Sequence, residues 1–142
     1  MRQWEAFLPS NVCERLQRMI EVPYVVALGI RTESISEDGE AVCTMDAGDM
    51  LNAMGGVHGG AIFSLADQAF ALASNLGPDP QVALCVSINY LRPGKGTLRA
   101  VARKVSETRR TSLFEVKVFE GGDLIAMFQG TGYKINGNGS SK

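Results

Sequence analysis

Histidine and tryptophan occur once each in these 142 residues, and cysteine three times. A single imidazole without paired cysteines supplies no ligand set for a zinc or iron–sulfur centre, so no metal is expected. Cys13, Cys43 and Cys85 are odd in number, widely spaced and set among apolar residues. That is the pattern of reduced structural thiols, not of a disulfide framework. Neither sign of charge dominates: 14 Lys and Arg against 15 Asp and Glu leave a net charge of −1. The basic face of a general nucleic-acid binder is missing. No apolar run approaches the ~18 residues of a membrane span. Met1 to Glu5 leads into an amphipathic segment without the apolar stretch of a secretory signal, so a cytoplasmic location is expected.

What is present suits one globular domain over residues 1–142, with 45% hydrophobic and 20% charged residues. A chain of this length buries roughly two thirds of its unfolded surface. Val12, Leu16, Met19 and Ile20 have helical spacing, with Ser10 or Asn11 as cap and Pro23 closing the helix. Tyr24 to Ile35 and Ala41 to Met45 read as β-runs joined through Asp38-Gly39, a hairpin signal. Asp46 to Val57 reads as a loop feeding a helix from His58 to about Asn75, with Gly77-Pro78 at its far end. Val82 to Leu91 is almost continuously apolar, which predicts a strand buried on both faces beneath that helix. Strands at Thr97 to Ser106, Thr111 to Glu120 and Leu124 to Ile135 follow, the last two joined by Gly121-Gly122. The glycine-rich tail, 136–142, is expected to fray. The order predicts an α+β domain, an antiparallel sheet wrapped around one helix, whose exposed edges favour pairing with a second copy.

The chemistry concentrates between Gly56 and Asp67. A helix that begins at Gly59 and Gly60 offers backbone N–H groups without intrahelical partners, and no side chain blocks a ligand oxygen from reaching them. Such a start is an oxyanion-type site. Asp67 lies among Leu65, Ala66, Ala69, Phe70, Ala71 and Ala73, where a charge is costly unless paired or used. Its alternative role is a satisfied carboxylate, held by backbone or by Ser64 and Asn75. Eight residues of helix at ~1.5 Å rise separate Gly59 from Asp67 by about 12 Å, too far to act on one carbonyl. If both are catalytic, Asp67 of one chain must face the helix start of another, and the site is shared across a dimer.

Met50-Leu51-Asn52, His58-Gly59-Gly60, Phe63-Ser64-Leu65-Ala66-Asp67-Gln68-Ala69-Phe70-Ala71 and Leu91-Arg92-Pro93 together resemble the PaaI-type acyl-CoA thioesterases of the hotdog fold. The resemblance runs from about Gly29 to Ile135. It implies a hotdog sheet of five to six strands around one long helix, with a short N-terminal helix. It also implies hydrolysis of a small aromatic or medium acyl-CoA to the free acid and CoA. Asp67 would be general base or nucleophile, the N–H of Gly59 would polarise the carbonyl, and Asn52 would position water or substrate. His58 would support the helix start, with Gly60, Ser64 and Phe63 against the substrate. Phe63, Phe70, Met54 and Leu51 suggest an apolar or aromatic acyl site. Some members carry a serine on the strand after the helix; the inferred register puts Ala83 there, with Ser87 on the same strand face as a substitute. Arg92, Lys95, Arg109 and Arg110, at strand ends, are candidates for the phosphates of CoA. Coenzyme A enters as part of the substrate and not as a cofactor. The partners implied are acyl-CoA and further copies of the chain, as a homodimer and a homotetramer, with no nucleic acid and no membrane.

Two other readings compete. A serine hydrolase would need a G-x-S-x-G elbow and a second histidine, and the chain has neither. A hotdog dehydratase or hydratase would pair a histidine with a carboxylate, but nine residues place His58 and Asp67 on opposite sides of the helix. Acyl or CoA binding without turnover remains an alternative of a different class.

Overall fold

The structure, a computed structural model, describes residues 2–135; the tail expected to fray lies outside them. A short 3-10 helix, Gln3–Ala6, precedes α1 (Ser10–Glu21) and α2 (Pro23–Leu28). Strands β1 (Arg31–Ile35) and β2 (Ala41–Asp46) lead to the long helix α3 (Gly59–Ser74). Then come β3 (Gln81–Tyr90), β4 (Thr97–Glu107), β5 (Thr111–Glu120) and β6 (Asp123–Lys134). All strands join one six-stranded antiparallel sheet in the order β1-β2-β4-β5-β6-β3. Helix α3 packs against β2 to β6. Leu65, Ala66, Ala69 and Leu72 from the helix meet Met45, Leu98, Val116 and Phe128 from the sheet in one buried cluster. Alanines at the helix positions nearest the sheet let the two layers approach closely, which is how one helix fills the space inside a sheet.

Four local expectations change. Tyr24 to Leu28 is helical, not strand: Val22 is extended, and Pro23 starts a new helix at its first position, where a missing N–H is harmless. Gly29 ends α2 in the left-handed conformation, at φ 71°, and only Arg31–Ile35 remains as strand. The cap of α1 is Pro9 and not Ser10 or Asn11, and the C-cap of α3 is Asn75 and not Gly77. The Asn75 side chain accepts from the N–H of Gln81 and donates to the carbonyls of Ala71 and Gln81, tying the helix end to the start of β3.

The largest change concerns β3. It is an edge strand paired only with β6, and most of it is exposed; Val86 and Ile88 alone pack against the core. Its apolar run reflects an uncovered edge, with Leu84 at 64% exposure, and not burial on both faces. Cys43 is buried and its thiol is pushed up to about 12 by loss of hydration, so it is inert, whereas Cys85 lies exposed on this edge.

Candidate active site

The start of α3 is fixed by the preceding loop. Leu51 bridges to Val57, the Asn52 N–H donates to the Gly56 carbonyl at 2.8 Å, and the His58 N–H donates to the Met50 carbonyl at 2.7 Å. The Asn52 Oδ1 accepts from the N–H groups of Met54 (2.9 Å) and Gly56 (3.1 Å), which closes the loop and leaves its amide NH2 to donate outward. Val57 donates to the Gly94 carbonyl at 2.9 Å, so the loop docks on the Arg92-Pro93-Gly94 turn that the sequence singled out.

His58 is the N-cap of α3, its Nδ1 accepting from the Gly60 N–H at 2.9 Å. In the structure His58 caps the first turn of α3, and the Gly60 N–H, expected against the substrate, is committed to it. Ala61 and Ile62 both donate to the His58 carbonyl. Among the described residues the Gly59 N–H has no partner, which leaves it as the donor available to a ligand.

Gly59 is held from the other side by Tyr90, which the sequence reading missed. Its hydroxyl donates to the Gly59 carbonyl at 3.0 Å, and a Cβ at position 59 would lie 3.2 Å from the phenol ring. Tyr24 was missed as well: its hydroxyl lies 2.8 Å from the Ser64 Oγ, which itself donates to the Gly60 carbonyl. No local pattern marks these two tyrosines, because their partners are 31 and 40 residues away.

Asp67 lies half-buried on the helix flank shared with Phe63, Ser64 and Ala71. Burial alone raises its carboxyl above the usual carboxylate range. Among the described residues its carboxylate accepts no hydrogen bond and has no cation within 4 Å. Ser64 and Asn75, its expected partners in the satisfied-carboxylate role, are occupied with Gly60 and Tyr24 and with Ala71 and Gln81. A half-buried carboxylate whose pKa burial raises, and which no protein group pairs, is a poor structural element and a good proton acceptor. Phe63 packs edge-on against Phe128 at 5.4 Å between centroids, while Phe70 is core against Phe114, so of the two only Phe63 borders the site. Leu51 and Met54 are exposed on the loop beside it.

Three candidates fall elsewhere. A bulge between Ala83 and Cys85 reverses the side-chain alternation: Ala83 opposes the inward-facing Gly132, but Ser87 opposes Gln129 on the outer face. Ser87 lines a small hollow there with Asn89, Glu115, Met127 and Gln129, away from α3, so it cannot stand in for a serine at Ala83. Arg92 is paired with Asp123 at 3.7 Å at the Gly59 end of the sheet, near Lys95. Arg109 and Arg110 sit at the opposite end, beyond the C-terminus of α3, where the Lys134 N–H donates to the Arg110 carbonyl and Lys134 opposes Gln81. The basic residues expected to act together are divided between the two ends.

A sheet filled by one helix, whose start presents a free N–H and whose flank carries an uncompensated carboxylate, defines a hotdog domain suited to carbonyl chemistry. Residues 14–120 match a family described as a domain of unknown function, DUF4442. The chain is 38% identical over 115 residues to the acyl-coenzyme A thioesterase PaaI of Escherichia coli strain K12, covering 78% of this chain and 81% of that protein. Among solved structures, a mutant of the phenylacetic acid degradation protein PaaI from Thermus thermophilus is 38% identical. It superposes with a TM-score of 0.76 over 80% of this chain and all (100%) of that one. The E. coli PaaI protein from the phenylacetic acid degradation operon is 33% identical, with a TM-score of 0.81 over 92% of this chain and 97% of that one. The chain belongs to the PaaI-like thioesterase family of hotdog proteins.

Proposed function

We propose that this protein hydrolyses acyl-CoA thioesters to the free acid and CoA, with catalytic centres shared between two chains. The observation that carries the reading is the pairing, on one helix, of a partnerless Gly59 N–H with a half-buried Asp67 that no protein group pairs and whose pKa burial raises. As the carbonyl carbon is attacked, negative charge collects on its oxygen, and the preorganised Gly59 N–H stabilises it. Asp67 takes the proton of the attacking water, or attacks the carbonyl itself to form an anhydride that water then opens. The CoA thiolate leaves in either case. Asn52 donates from its amide NH2 to water or substrate, and His58 keeps the first turn aimed. Leu51, Met54 and Phe63 favour a small aromatic or medium acyl group.

The helix rise keeps Gly59 and Asp67 of one chain about 12 Å apart, so each carbonyl is served by one chain's Gly59 and Asp67 of the partner subunit. The uncovered β3 edge, with Val82 and Leu84 exposed, supplies the surface for a two-fold pairing. Tyr24 and Val26, exposed on α2, and Val22 just before it give two such dimers a further apolar face for a tetramer. The test is a panel of acyl-CoAs with mixed dimers. Asp67→Asn and Gly59→Val chains are each inactive alone, and co-assembled they regain one working centre per dimer. Failure of the mixture to regain thiol release refutes the shared centre, and absence of turnover by the unaltered protein on every thioester refutes hydrolysis.

A further inference from the structure

Strand β3 ends beside the start of α3, and its last residue reaches the first turn of that helix. Beyond the bulge between Ala83 and Cys85, Val86 and Ile88 pack against the core, and Tyr90 follows them in the same alternation, opposite the buried Ala126. The chain just past Tyr90 is tied to β6: the N–H groups of Leu91 and Arg92 both donate to the Ile125 carbonyl, at 2.8 and 3.2 Å. From this anchored base the phenol lies along Gly59, where a Cβ would stand 3.2 Å from the ring, and its hydroxyl donates to the Gly59 carbonyl at 3.0 Å. A carbonyl oxygen has two lone pairs, so this bond is compatible with one inside the helix.

Two successive glycines make a loose start for a helix, because each has more backbone freedom to lose than any other residue. An N–H that stabilises an oxyanion needs the reverse, a fixed direction before the charge develops. The peptide group joining Gly59 to Gly60 is held at both ends: its oxygen accepts from Tyr90, and its N–H donates to His58 Nδ1 at 2.9 Å. The peptide group before it is held by its oxygen, the His58 carbonyl, which accepts from Ala61 at 2.9 Å and Ile62 at 3.2 Å. Both peptide planes that flank Gly59 are thus pinned, while among the described residues its own N–H stays free. His58, Ala61 and Ile62 belong to the helix and its cap; Tyr90 is the pin that comes from the sheet. We infer that Tyr90 is a positioning residue for hydrolysis: its hydroxyl fixes the Gly59-Gly60 peptide plane and so aims the Gly59 N–H at the thioester carbonyl. With its proton engaged on that carbonyl, the hydroxyl acts through Gly59 and not on the substrate. This rests on the oxyanion role of Gly59 in the proposed reaction and adds the side chain that holds the donor in place.

The test is Tyr90→Phe, which keeps the ring against Gly59 and removes only the hydroxyl of a half-exposed side chain, so the core is undisturbed. In thiol-release assays kcat is expected to fall about five- to tenfold, a part of the ~10²-fold that loss of a whole oxyanion donor costs. KM stays within about twofold, because an interaction made in the transition state is weakened and the contacts that bind acyl-CoA are kept. The acid limb set by Asp67 keeps its midpoint. Tyr90→Leu, which also removes the ring, lowers kcat further. In the amide NMR spectrum of the protein without substrate, the Gly60 signal moves in Tyr90→Phe, since it shares a peptide group with the released carbonyl, and the order parameter of the Gly59 N–H falls. Unmoved Gly60 signals with an unchanged Gly59 order parameter overturn the ordering of the donor. Unchanged kcat with those signals moved overturns the positioning role and leaves the bond a structural one. A raised KM at constant kcat overturns it too, by making Tyr90 a substrate contact. Absence of turnover by the unaltered protein refutes hydrolysis itself, and the NMR arm still decides separately whether Tyr90 orders Gly59.

Discussion

Asp67 gains from nothing the chain itself provides: burial raises its carboxyl, and no donor or cation answers it. Its pH behaviour follows. If the carboxylate form is needed, kcat/KM climbs on an acid limb whose midpoint lies above the ordinary aspartate value of 3.8. Asp67→Asn removes this limb and lowers kcat by about 10²- to 10⁴-fold in a thiol-release assay. The same residue carries a stability signature of opposite sense. A carboxyl with a folded pKa above its unfolded one holds its proton more tightly when folded, so its contribution to stability is complete at low pH. That contribution is lost as pH rises from the ordinary value through the raised one. Asp67→Asn is therefore expected to raise the Tm at pH 7 and to change it little at pH 3. A lower Tm at pH 7 would mean that the carboxylate has a structural partner after all.

The start of α3 is governed by capping. His58 holds the Gly60 N–H, so His58→Ala should cost about 1 kcal/mol, near 3 °C in Tm for a chain of this size. His58→Asn supplies another strong cap and should restore both the Tm and most of the activity. If His58→Asn is as inactive as His58→Ala while equally stable to the unaltered protein, the imidazole moves protons and does more than cap. The same helix start shows what local sequence carries. Glycines at 59 and 60 announced a free N–H group, but which of the two is free depends on the His58 rotamer and on Tyr90 packing against Gly59. Helix α2 went unread because a Val-Val pair favours strand locally, while Pro23 at its first turn and Gly29 at its left-handed end make six residues helical.

Across the whole molecule the decisive feature is the uncovered β3 edge. Leu84 is 64% exposed, so Leu84→Lys should leave the folded chain intact while abolishing the dimer in sedimentation, and activity with it. An active monomer would end the shared-centre reading.

By itself the sequence determined the order of helices and strands apart from α2, the hairpins at Asp38-Gly39 and Gly121-Gly122, the glycine-led helix start and the 12 Å separation of Gly59 and Asp67. Those properties follow from periodicity, turn chemistry and helix rise, which act over a few residues. Strand order, and everything that depends on it, came only with the tertiary structure. It made β3 an edge, and the bulge after Ala83 turned Ser87 away from the helix. It also brought Tyr90 to Gly59 and sent Arg92 and Arg109 to opposite ends. Each of these depends on pairing between segments tens of residues apart, and an apolar run reads the same whether the sheet buries it or leaves it for a partner.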